Sequence, residues 1–128
     1  NAGITKDGLL MRMSEADWDA VIATNLKSVF NFSKAAVRPM MGQRSGKIIN
    51  ICSLFSFLGG RWSSAYAATK HGLAGFTKAY CDELAGHNVQ VNGIAPGYFA
   101  TEITASAPAA VSVSVFSARS RSWTEARP

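Results

Sequence analysis

The chain has 128 residues, 48% of them hydrophobic, which is the size and composition of one ordinary globular domain with a real core. Its net charge of +5 comes from thirteen Lys and Arg scattered along the sequence, without the dense basic block that would argue for nucleic acid. The opening NAGITKDG lacks the basic-then-apolar pattern of a signal peptide, and no apolar run approaches the roughly 18 residues of a membrane helix, so neither export nor membrane insertion is supported.

From Ser14, the stretch SEADWDAVIATNLKSVFNFSKAAVRPMM places Trp18, Val21, Ile22, Leu26, Val29 and Phe30 at helical spacing. Ser14 with Asp17 three residues on resembles a capping box, and Pro39 and Gly42 are expected to close the helix. KIINICS follows, a short apolar run of the kind found in strands buried on both faces, with Ser53 at its end. After the Gly-rich loop FLGGRWSS, a second long helix is expected from about Ser64 to Ala85. NVQVNGIAPG reads as another buried strand, ended by Pro96 and Gly97. Helix, strand, helix, strand with short connections is the rhythm of a parallel α/β sheet. Cys52 and Cys81, without a C-x-x-C or a histidine at ligand spacing, read as reduced thiols of a cytoplasmic protein and not as a metal site.

In such a sheet, ligands bind beyond the carboxyl ends of the strands. Ser53 ends one strand, Pro96 to Thr101 follow the other, and the helix bearing Tyr66 and Lys70 starts from the loop leaving Ser53. Tyr66 and Lys70 stand four apart, so a helix makes them neighbours on one face, where the ammonium lowers the phenol's pKa. Bringing a phenol from about 10 to roughly 7 takes about 4 kcal/mol of selective phenolate stabilisation, at 1.36 kcal/mol per unit. Taken alone, Tyr-x-x-x-Lys more often means a packed ring beside a solvated lysine. Ser53 changes the weighing, because two hydroxyls converging on one substrate oxygen polarise a ketone while Tyr66 gives up its proton, or take a proton from an alcohol in reverse. The hydride such a reaction needs comes from no side chain, and a nicotinamide cofactor fills that role.

Together NAG at Asn1 to Gly3, Asn25 in ATNLKSVF, Ser53, Tyr66-Ala-Ala-Thr-Lys70, and PGYFAT at Pro96 to Thr101 resemble the short-chain dehydrogenase/reductase family. The resemblance covers residues 1–104 and implies part of a Rossmann-like, doubly wound parallel α/β sheet that carries the catalytic residues. It implies Tyr66 as acid or base, Ser53 as holder of the substrate oxygen, and Lys70 as ligand of the nicotinamide ribose. Asn25 would bend its helix and hold a water connecting Lys70 to solvent. Asn1, Ala2 and Gly3 would lie beside the adenosine half of the cofactor. Pro96, Gly97 and Thr101 would line the nicotinamide and pyrophosphate, with the Phe99 backbone at the carboxamide, although the family usually has an aliphatic residue at that position.

Within the family, the first half resembles 3-oxoacyl-acyl-carrier-protein reductases of fatty acid biosynthesis, and INICSLFSFLGG with VNGIAPGYFATEIT resembles gluconate 5-dehydrogenase and related sugar-acid enzymes. Carrier-protein docking by the former typically uses two arginines; Arg44 matches one, and His87 stands at the other. Arg61 and Trp62, in the loop before Tyr66, are either candidates to line a sugar acid or plain exposed loop residues. The family's T-G-x-x-x-G-x-G phosphate loop belongs ahead of NAG and is not in this sequence, so NAD and NADP both remain open. Residues 105–128, rich in Ala, Ser and Arg, are expected to form an irregular tail whose composition suits disorder or a shifted reading frame. The resemblance further implies a homodimer or homotetramer pairing through its two long helices. A different class of reading takes the chain as a noncatalytic fragment, and on that reading it would neither bind cofactor nor turn over a ketone by itself.

Overall fold

The computed structural model describes residues 3–97 and the strand 113–117; Asn1, Ala2, Phe99 and Thr101 of the expected site lie outside the described residues. The first long helix begins as α1 (Glu15–Ile22), passes through a π-helical turn at Ala23–Lys27 and continues as α2 (Ser28–Gly42). Ser14 caps it as expected: its hydroxyl accepts from the Asp17 N–H at 3.1 Å and donates to the Asp17 carboxylate at 2.8 Å. Gly42 ends α2, but Pro39 does not close it; the proline sits inside the last turn, where it removes a single ladder hydrogen bond.

Strand β1 (Gly46–Ile51) pairs in parallel with β2 (Val89–Pro96), and α3 (Ser64–Leu84) makes the crossover between them. The expected parallel α/β unit is therefore present, in a chain that forms part of a Rossmann-like sheet. Val37, Met40 and Met41 of α2 and Tyr80, Cys81 and Leu84 of α3 meet Ile48, Val89 and Val91, which puts both long helices against one face. Burial on both faces does not hold among the described residues. Ile49 is 57% exposed, and β2 alternates between buried Val89, Val91 and Ala95 and more open neighbours such as Gln90. The apolar run KIINI reflects a strand with hydrophobic side chains on two faces, of which the described elements cover one.

Inside the segment expected as an irregular tail, β3 (Val113–Ser117) pairs antiparallel with β2, with Val113 opposite Pro96 and Ser117 opposite Asn92. The sequence signal is the alternation Val-Ser-Val-Ser-Val from residue 111, a period of two that fits a strand and not a helix. Cys52 and Cys81 are both buried and are not joined to each other. Among the described residues, no cluster of His, Cys, Asp or Glu could hold a metal ion, and no helix is long and apolar enough to cross a membrane.

Candidate active site

Ser53 stands just past the carboxyl end of β1, where Cys52 N–H still donates to Ile94 O at 2.7 Å. Its extended backbone caps the 3-10 turn Leu54–Ser56, with its hydroxyl oxygen accepting from Phe55 N–H at 3.2 Å and its own N–H donating to Ser56 Oγ at 3.2 Å. That capping role coexists with chemistry, because a hydroxyl that accepts one bond keeps its proton to donate elsewhere. The chain then folds back through Gly60, where a Cβ would come within 2.3 Å of the Phe55 ring, and the ring in turn packs edge-on to Tyr66 at 5.8 Å between centroids. Glycine at 60 thus allows the loop to press Phe55 onto Tyr66. Ser53, Tyr66, Pro96 and Gly97 line one cavity of about 300 Å³, joined by Thr5 and Asp7.

Lys70 is one turn further along α3 and 8% exposed. Its ammonium donates to Ile51 O at 2.8 Å and lies 5.6 Å from the centre of the Tyr66 ring. Burial pushes the lysine pKa below its ordinary value, and the nearby Cys52 thiol partly offsets this. Burial also raises the Cys52 pKa, against the pull of Lys70 and of the Ser56 and Thr77 hydroxyls. Lys70 and Asn25 line a second cavity of about 480 Å³, with Gly3 at its wall. The expected residues thus fall into two neighbouring spaces: Ser53, Tyr66, Pro96 and Gly97 in one, Gly3, Asn25 and Lys70 in the other.

Asn25 lies in the π-helical turn, where the α-helical ladder is interrupted, and is 3% exposed. Its side chain clamps the backbone of Ile4 from both sides, accepting from Ile4 N–H at 2.9 Å and donating to Ile4 O at 2.9 Å. The same amide reaches Thr69 Oγ1 at 3.4 Å, tying the segment after Gly3 to α3 beside Lys70. Arg61 and Trp62 flank the approach to α3: Arg61 lies over the indole at 5.1 Å, and Trp62 O accepts from Gly8 N–H at 2.8 Å. Arg44 and His87 lie at the other end of the strands, where Arg44 donates to Gly86 O at 3.3 Å and Asn88 donates to Arg44 O at 2.8 Å. A strand of this length puts them about 20 Å from Ser53.

Thr5, Asp7 and Thr77 stand in none of the motifs of the sequence, and Thr69 stands in Tyr66-Ala-Ala-Thr-Lys70 without a role of its own. Thr5 and Asp7 carry no periodic signal, since they sit in a loop. The threonines do carry one: residues 69, 73 and 77 fall on one helix face with buried Leu73, so polar residues stand where a core position is due.

A family model described as short chain dehydrogenase matches residues 1–112. The chain is 64% identical over 104 residues to an uncharacterized oxidoreductase of Escherichia coli K12, YgcW, a match covering 81% of this chain and 40% of that protein. It is 49% identical over 108 residues to the 3-oxoacyl-[acyl-carrier-protein] reductase FabG of Thermotoga maritima, covering 84% of this chain and 44% of that one. Among solved structures, the gluconate 5-dehydrogenase of Burkholderia cenocepacia J2315 in complex with NADP and tartrate aligns with a TM-score of 0.79 at 42% identity, over 83% of this chain and 42% of that one. The chain therefore spans less than half the length of these relatives.

Proposed function

Because the chain belongs to the short-chain dehydrogenase family, we propose that the protein carrying it interconverts a ketone and a secondary alcohol with NADP or NAD. The observation that carries this reading is the meeting of Ser53 and Tyr66 on one cavity, with Lys70 one helical turn behind the tyrosine. Ser53 holds the substrate oxygen, Tyr66 delivers or removes its proton, and the Lys70 ammonium stands 5.6 Å from the centre of the tyrosine ring. When bound, the nicotinamide supplies or accepts the hydride. The residues fit such a group: the Lys70 ammonium has three protons and spends one on Ile51 O, and Lys70 lines a cavity of about 480 Å³ with Gly3 at its wall. In this reading Asn1, Ala2, Gly3, Pro96, Gly97, Phe99 and Thr101 complete the cofactor's bed, and Asn25 holds the water that links Lys70 to solvent.

For the substrate we favour a 3-oxoacyl thioester, with homology to carrier-protein reductases in support. Arg44 and His87 would form the acidic carrier's docking patch, and a carrier seated there would reach Tyr66 across the length of the sheet. A sugar acid is the second reading. It draws on Trp62, a bulky residue held at φ 68° and left 53% exposed beside Arg61, because strain of that kind is kept where the surrounding structure imposes it. The protein is expected to work in the cytoplasm as a homodimer or homotetramer. The deciding experiment is an assay of the purified protein with NADPH and with NADH against a 3-oxoacyl thioester and a keto sugar acid. Higher kcat/KM for the thioester supports the first reading, higher kcat/KM for the sugar acid replaces it with the second, and turnover of neither rejects both.

A further inference from the structure

We propose that Thr77 and Asn50 form a positioning pair that fixes α3 along β1 and so sets where Tyr66 and Lys70 stand relative to Ser53; the catalytic meaning of the pair rests on the oxidoreductase reading above. Apolar contacts around Leu73, Ala65 and Ala74 hold α3 to the core, but such contacts have no direction and let a helix rock or slide. Two threonines interrupt that apolar face, Thr69 at 0% and Thr77 at 1% exposure. Each spends its one hydroxyl proton on its own helix, Thr69 on Tyr66 O and Thr77 on Leu73 O, both at 2.7 Å. Each oxygen is then left only able to accept, and each accepts from an asparagine amide on another element: Asn25 to Thr69 at 3.4 Å, Asn50 to Thr77 at 2.9 Å.

The Asn50 link is the shorter of the two and lands on the strand that leads to Ser53. Thr77 also lies against the Cys52 thiol. Residues 50 to 53 thus receive α3 twice, through Thr77 at Asn50 and through Lys70 at Ile51 O, and then end in Ser53. Lys70 and Thr77 are seven residues apart, about 10 Å along the helix axis, so the two contacts together fix both its height and its rotation. The Lys70 tether hangs on a flexible four-carbon stem, and a ligand that takes the ammonium releases it. The Asn50–Thr77 bond then keeps α3 in register. Valine would fill the space of Thr77 nearly as well and would spare the cost of burying a hydroxyl, so packing alone gives no reason for threonine there.

The test compares the full protein with Thr77→Val, which keeps the shape and loses the acceptor, and with Thr77→Ser, which keeps the hydroxyl. The readouts are the titration of Lys70 by the 13Cε shift of labelled lysine, and kcat and KM for the preferred ketone across pH. The titratable groups facing Lys70 are Cys52 from the strand end and Tyr66 from its own helix. Thr77→Val also removes the Thr77 bond to the Cys52 thiol, which by itself makes the thiolate less available to Lys70 and lowers the lysine titration, the opposite sign to the shift expected from lost positioning. Thr77→Val is expected to move the Lys70 titration upward toward free lysine as water reaches the ammonium, and to lower kcat about tenfold with KM changed less than about twofold. Thr77→Ser restores both. A Thr77→Val protein with wild-type Lys70 titration and kcat overturns the pair, even if its melting temperature falls. Should Thr77→Val fail to fold, Asn50→Ala carries the same readouts from the strand side. If the wild type turns over no ketone, the oxidoreductase reading fails by itself, and the Lys70 titration still decides whether Thr77 positions it.

Discussion

Replacing Lys70 by methionine should cost activity without costing stability, and the pH dependence of that exchange is fixed by the burial of the lysine. At 8% exposure the ammonium has given up most of its water, and its pKa is lowered by that loss. It recovers one charged hydrogen bond, to Ile51 O at 2.8 Å, worth about 1.5–3 kcal/mol. Against this stands a burial penalty of several kcal/mol for an ammonium without a carboxylate partner. Methionine fills the aliphatic stem's volume and carries no charge, so Lys70→Met is expected to be at least as stable as the wild type at pH 7. The sign of the pH effect follows from proton binding. With the folded pKa depressed, the unfolded chain binds more protons between the folded pKa and the free value near 10.5, and wild-type stability from this group rises with pH through that window. Each unit of depression amounts to 1.36 kcal/mol. Urea denaturation of both proteins from pH 7 to pH 10 should therefore show the variant's advantage shrinking as pH rises. An advantage that stays constant or grows would refute the argument that burial of a charged Lys70 opposes folding.

Gly75 lies inside α3 with nothing within 4 Å of where a Cβ would sit, so Gly75→Ala should stabilise the protein by about 0.5–1 kcal/mol, read by urea denaturation. Ser14→Ala removes the cap of α1 and should lower stability by about 1 kcal/mol in the same assay. Asp17, whose pKa is lowered first by its bond to Ser14 and then by Lys6 at 3.3 Å, adds stability above its ordinary carboxylate range that is lost as pH falls through its folded pKa. Ser14→Ala should flatten that acid-side slope, which denaturation between pH 7 and pH 3 would reveal.

The parts that could be read in the sequence are those where one local signal decides. The capping serine, the helix start at Ser64 and the two parallel strands each follow from spacing and punctuation within a few residues. Ile49 misled because an apolar run records the faces a strand could bury and not how many are covered. Pro39 misled because a proline's cost depends on where in the ladder it falls, and the last turn has little ladder left. The π-helical turn around Asn25 has no periodic signature, and only the family resemblance points to a bend there; in that turn the amide reaches both backbone groups of Ile4. Val113–Ser117 was legible in principle from its alternation, but its alanine- and serine-rich surroundings masked the period. Asn50 and Thr77 escaped because each looks ordinary alone, and only their contact 27 residues apart gives either one meaning.

The most direct test of the account is the behaviour of Tyr66→Phe in the protein that carries this chain. NADPH or NADH binding is followed by fluorescence quenching, and ketone reduction by the loss of reduced cofactor. The variant is expected to bind cofactor like the wild type and to lose about 10²–10⁴-fold in turnover, because the ring keeps its packing on Phe55 while the proton is gone. Turnover by Tyr66→Phe at the wild-type rate would contradict the assignment of Tyr66 as the acid, and with it the mechanism built on Ser53 and Lys70.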